Sequence, residues 1–194
     1  MRECQLMSEK TVLWNPAMTF SASDEMAVNP RYWLHLLLQK FVAGDICLPR
    51  QMGLDEKSYA RLCDDAAIEP VFSAETLQKQ QLMEELRYGR QDECQELETW
   101  LLNYVRPEVK EMATIIANAS IGFSHLWEDL GLDSRAQLRE LMQACFPELV
   151  RLNDQNMRWK KFFYRQRCEQ DGGMMCRAPS CQACYERASC FAPD

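Results

Sequence analysis

"PEVKEMATIIANASIGFSHLWEDLG", residues 107–131, decides the fold. Val109, Met112, Ile116, Ala119, Phe123, Leu126 and Leu130 step through it by three or four, the spacing that lines apolar side chains along one face of an α-helix. Pro107 suits a first helical turn, where a missing N–H leaves nothing unsatisfied, and Gly131 suits a stop. The spacing predicts one long helix from Pro107 to Gly131.

The same reading extends outward in both directions. In "NPRYWLHLLLQKFVAG", residues 29–44, Asn29 is a cap, Pro30 sits in the first turn and Gly44 ends the helix, with Trp33, Leu34, Leu37, Leu38 and Phe41 on one face. Asp55 caps a second helix that buries Tyr59, Leu62 and Cys63, and a third runs from near Ser73 to Gly89. Asp92 and Gln95 form a capping-box pattern ahead of Cys94, Leu97, Leu101 and Tyr104. Ser134 and Gln137 repeat it ahead of Leu138, Leu141, Met142 and Cys145. A last helix carries Trp159, Phe162 and Phe163 as its apolar stripe, with Arg158, Lys161 and Arg165 on another side. Period-two alternation is almost absent, so the fold class is all-α, a compact helical domain of about six or seven helices. The organisation follows: a loose arm over residues 1–28, the helical domain over 29–168, and a cysteine-rich metal-binding tail over 169–194.

A chain of 194 residues, 47% hydrophobic and with only seven glycines, is long and apolar enough to bury one ordinary core. Residues 1–150 carry 14 Lys and Arg against 24 Asp and Glu, whereas residues 151–194 carry 8 against 5. The acidic bulk argues against general nucleic-acid binding, which needs clustered cations. No apolar stretch is long enough to span a bilayer, so no membrane partner is expected. The start "MRECQLMSEKTVLW" has no basic segment leading into an apolar run and a cleavage site, which predicts a cytoplasmic protein. In a reducing compartment, closely spaced cysteines more often bind metal or do redox chemistry than form lasting disulfides.

That expectation falls on "CRAPSCQACYERASC", residues 176–190. Cys176, Cys181, Cys184 and Cys190 give the spacing C-x4-C-x2-C-x5-C, and the surrounding residues offer little to bury. Two thiolates two residues apart can turn toward one centre while a loop with proline and small residues wraps the others around it. Soft sulfur donors suit zinc, copper(I) and iron–sulfur centres. Structural zinc usually shows two close ligand pairs, and only one is present. The C-x4-C-x2-C portion matches the first three ligands of plant-type ferredoxins, although Cys190 is not placed like their fourth. Unligated or disulfide-exchanging thiols are the remaining alternative.

The tail, with "MRWKKFFYRQRC" before it and "CFAPD" after it, resembles the NifQ family of nitrogen-fixation proteins linked to molybdenum supply. The resemblance extends upstream through "IIANASIGFSHLWEDLGL" and "RAQLRELMQACFPELVRLN", covering roughly residues 105–192, and more faintly to "LPRQMGLDEKSYARL". It implies a carrier of a Mo-Fe-S cluster, built on an iron–sulfur precursor, that donates molybdenum to biosynthesis of the nitrogenase iron–molybdenum cofactor. It further implies Cys176, Cys181, Cys184 and Cys190 as the ligands. The implied partners are the nitrogenase iron protein, the cofactor-assembly scaffold and a molybdate or other molybdenum source. Five cations between residues 158 and 167, with Arg177 and Arg187 in the loop, would lower the cost of holding an anionic cluster or oxyanion. A different class of function, a helical interaction module with a structural zinc tail, is the alternative.

Two further residues are candidate ligands. Cys168 reads either as a fifth thiolate or as a buried thiol ending an aromatic helix. His125 reads either as a nitrogen ligand to molybdenum, its imidazole oriented by Asp129 on a polar side shared with Asn118 and Gly122, or as a histidine at the core's edge. Cys4, Cys47, Cys63, Cys94 and Cys145 are assigned to packing, and His35 to a helix flank. No phosphate loop, H-E-x-x-H or nucleophile elbow is present, so a carrier is expected and not an enzyme.

Overall fold

The segment "EMATIIANAS" is apolar or small on nearly every side, so no face of it can be left to water. In the computed structural model, which describes residues 29–171 with side chains as far as Arg167, it forms a central helix. The helices are α1 Pro30–Ala43, α2 Glu56–Ala66, α3 Ala74–Tyr88, α4 Gln91–Leu101, α5 Glu111–Ser120, α6 Leu126–Asp129, α7 Arg135–Cys145, α8 Pro147–Leu152 and α9 Trp159–Asp171. Short 3₁₀ turns occupy Arg50–Gly53 and Pro107–Val109. Every regular element among the described residues is helical, as the periodicity predicts. The expected arm over 1–28 and the tail beyond Asp171 lie outside the described residues.

In α5 every residue from Ile115 to Ser120 is buried, together with Met112 and Ala113. Its alanines let neighbours approach, and α4 makes the most extensive packing against it. Ser120, buried among them, satisfies its hydroxyl by donating to the Ile116 carbonyl at 2.7 Å. The predicted stripe of α1 is buried in full. Its ends follow the local chemistry: Asn29 Oδ1 accepts from the Arg31 N–H, and Gly44 takes the left-handed φ of 86° that closes a helix. Asp55, Ser73 and Ser134 cap α2, α3 and α7 in the same way.

Two expectations are corrected. The stretch 107–131 is not one helix. It divides into the 3₁₀ turn at Pro107–Val109, then α5, an irregular turn, and the four-residue α6. Phe123, predicted on the buried stripe, is 89% exposed in that turn. The turn is held by Asp129, whose carboxylate lies where a Cβ on Gly122 would be 2.6 Å from Oδ2, and by Lys160 of α9, so tertiary pairing overrides the local period. Asp92 does not cap α4. Arg90 holds that position, and Asp92 lies in the first turn, where a carboxylate still complements the helix dipole. Nine helices lie among the described residues, because the break after α5 separates α6 and because Pro147 starts α8 apart from α7. Phe146, preceding that proline, is held out of helical geometry at φ −136° and ψ 56°.

The last helix docks by its aromatic stripe. Trp159, Phe162 and Phe163 are buried, and the Phe163 ring lies 6.0 Å from that of Trp100 on α4. Cys63, Cys94 and Cys145 are buried as the packing assignment requires, and burial raises all three thiols, Cys145 to about 12. Cys47 departs from that assignment and is exposed, being placed in the loop after α1.

Between α1 and α2 three successive residues, Gln51, Met52 and Gly53, adopt left-handed backbone at φ 56°, 59° and 80°. The turn drops Met52 into the core and presses Gly53 against buried Asn118. A Cβ at Gly53 would lie 2.3 Å from Asn118 Nδ2. Gly53→Ala should therefore lose more than the roughly 1–2 kcal/mol of left-handed strain alone. Gly89→Ala is the control: φ there is −68° and an added methyl meets nothing nearer than 3.7 Å, so stability should hold or rise by about 0.5 kcal/mol. Urea denaturation of the two variants measures both.

Candidate functional site

The four thiols Cys176, Cys181, Cys184 and Cys190 lie outside the described residues. What the structure places is the helix leading to them. Cys168 falls within the backbone of α9, and its side chain is outside the described set.

Polar contacts fasten α9 to the body along its length. Arg167 donates to Glu96 of α4. One turn earlier Tyr164 meets Arg90, which chelates Glu93 at 2.5 and 2.7 Å and donates to the Ile121 carbonyl at 2.8 Å. The guanidinium holds the Glu93 carboxyl below the usual range, so the pair stays charged.

At the start of α9, Lys160 Nζ lies 2.5 Å from Asp129 Oδ2 and 2.8 Å from the Gly122 carbonyl. Both side chains are largely buried, 17% and 9% exposed. Burial pushes the Asp129 carboxyl up and the Lys160 ammonium down, each against the attraction of its partner. Lys160 also lines a pocket of about 210 Å³ between the turn after α5 and the start of α9. Arg135, Arg158, Lys160 and Lys161 line it, together with His125 and Trp127, and none of the described carboxylates does.

His125 has left the helix predicted for it. It caps α6 with extended backbone at ψ 150°, and its N–H donates to Glu128 Oε2 at 2.8 Å. The expected polar side is dispersed: Asn118 turns to the Gly53 side and Asp129 is engaged by Lys160. Among the described residues no three His, Cys, Asp or Glu side chains converge as a metal site, and His125 lines the pocket beside Arg135, Arg158 and Lys160. Sequence reading missed Arg135, Trp127 and Lys160. Lys160 had a local signal in its place beside the aromatic stripe, but its partner Asp129 is 31 residues away with nothing local to indicate it.

The class so defined is an all-helical protein with a cation-lined pocket at the base of the helix that leads into its cysteine-rich segment. No helix among the described residues is long and apolar enough to cross a membrane. The NifQ family profile matches residues 33–192. Protein NifQ of Klebsiella pneumoniae is 47% identical over 164 residues, 84% of this chain and 98% of its own length. Protein NifQ of Azotobacter vinelandii is 44% identical, over 84% of this chain and 88% of that protein. A shorter match, 48% identical over 49% of this chain and 53% of its own length, is to Protein NifQ of Rhodobacter capsulatus. No solved structure matches the chain. The chain belongs to the NifQ family of nitrogen-fixation proteins.

The buried pair makes two predictions. Lys160→Met strands a buried carboxylate and should cost about 3–5 kcal/mol in urea unfolding. Asp129 titrates above its unfolded value, so the folded state binds that proton more tightly. Its contribution is complete below the unfolded value and is lost as pH rises through the folded one. The stability difference between wild type and Asp129→Asn should thus move against the wild type from about pH 3 to pH 7. A rise instead would show that the Lys160 attraction outweighs burial.

Proposed function

We propose that this protein is a carrier that holds molybdenum as a Mo-Fe-S cluster and donates it to assembly of the nitrogenase iron–molybdenum cofactor. The observation that carries the reading is the extent of the family match, which runs to residue 192 and so includes Cys176, Cys181, Cys184 and Cys190. Thiolates are the soft donors such a cargo needs. Loading begins with an iron–sulfur precursor on those thiolates, with Cys168 as an additional donor at the end of α9. The nitrogenase iron protein and the cofactor-assembly scaffold receive the cargo, and molybdate is its source. The carrier works in the cytoplasm and turns over no substrate of its own.

Protein purified without oxygen and supplied with iron, sulfide and molybdate should be brown, with sulfide-to-iron absorption and stoichiometric iron and molybdenum. Cys184→Ser should lose most of both metals while keeping the helical circular dichroism of the wild type. A colourless protein carrying one tightly held zinc would overturn the carrier in favour of a helical interaction module with a zinc tail.

A further inference from the structure

We infer that the pocket between α2 and the loop that follows it is a docking surface for a basic, amphipathic protein segment, one that sets an apolar side chain between lysines or arginines. This goes beyond the carrier reading and shares no residue with the cysteine-rich segment or with the Lys160 pocket.

Glu56, Tyr59, Ala60, Cys63 and Asp64 recur by three and four along α2, which places them on one side of that helix. Ala67 closes the helix in left-handed backbone at φ 51°, and the Ile68 N–H returns to the Cys63 carbonyl at 3.0 Å, so that Ile68, Glu69 and Pro70 form a second wall. Between the walls lies a pocket of about 640 Å³. Phe72, just past the second wall, packs edge to face on Phe41 at 5.5 Å, and Phe41 meets Tyr59 in the same way at 6.3 Å. Walls tied to the core in this way are in place before anything binds, which spares much of the ordering cost of docking.

The pocket is apolar within and acidic at its edge. Tyr59, Ala60, Cys63, Ala67, Ile68 and Pro70 supply the apolar surface, and Val71, next along the chain, is 76% exposed. Burial raises the Tyr59 hydroxyl and the Cys63 thiol, so neither carries charge at neutral pH. The Tyr59 hydroxyl has no nitrogen or oxygen partner, only the weakly accepting Cys63 sulfur beside it, which leaves an unmet polar group at the floor. The charged lining residues are Glu56, Asp64 and Glu69, all exposed and none in an ion pair among the described residues. No described cation lines the pocket; Arg61 of the same helix donates to Ser58 instead. The apolar surface suits a protein side chain, and three unmatched carboxylates around it select one flanked by cations. The same carboxylates, in a chain of net charge −7, repel nucleic-acid phosphate and anionic lipid.

The test titrates the full chain into a short fluorescent peptide of lysine and leucine at helical spacing, followed by anisotropy at low and moderate salt. One saturable site is expected, weakened by salt, and a lysine-serine peptide of the same charge should bind at least about tenfold more weakly. Asp64→Lys combined with Glu69→Lys should weaken the lysine-leucine peptide by about tenfold or more. Glu140→Lys combined with Asp154→Lys makes the same charge change at exposed positions outside the lining and should weaken it by less than about threefold. Ala60→Trp, at an exposed lining position, should obstruct the pocket and abolish saturable binding without altering charge. Unchanged helical circular dichroism shows that each variant is folded. Absence of saturable binding, equal binding of the lysine-serine peptide, equal losses in the two charge-reversal pairs, or undiminished binding in Ala60→Trp would overturn the docking surface.

Discussion

The contact between Lys160 and Asp129 holds the site side of this fold together. A carboxylate as buried as that of Asp129 costs several kcal/mol to desolvate unless its charge is met. Lys160 arrives from another element to meet it, with the Gly122 carbonyl as its second acceptor, and the Ser124 backbone N–H adds a hydrogen bond. The consequence is local and large. Gly122 leaves room for that carboxylate where a side chain would stand, and its carbonyl turns to Lys160 as α5 ends. The turn that results exposes Phe123, makes His125 a cap and leaves a cavity against α9.

A different set of forces holds the rest of α9. Its aromatic stripe closes the core against Trp100, which supplies the non-directional part of the attachment. Arg167 with Glu96, and Arg90 with Glu93 and Tyr164, supply the directional part. Of the five cations from residue 158 to 167, Lys160 and Arg167 pair with carboxylates of the body, and Arg158, Lys160 and Lys161 line the pocket. A basic run that reads in sequence as one feature has two physical tasks.

What could be read in the sequence was whatever local chemistry determines. Asn29, Pro30 and Gly44 bound α1 because capping and left-handed closure act within a few residues. The stripes of α1, α2 and α7 are buried because each faces the one core. The break after α5 was hidden because Ala119, Phe123 and Leu126 keep helical spacing across it, and the group that forces it lies on another helix. A signal was nonetheless present: His125 followed three residues later by Glu128 has the spacing of a helix start, and Gly122 marks a close approach. The thiol motif was plain in the sequence and lies beyond the described residues. The pocket was not, since Arg135 and Arg158 are 23 positions apart and come to one cavity only in the folded chain.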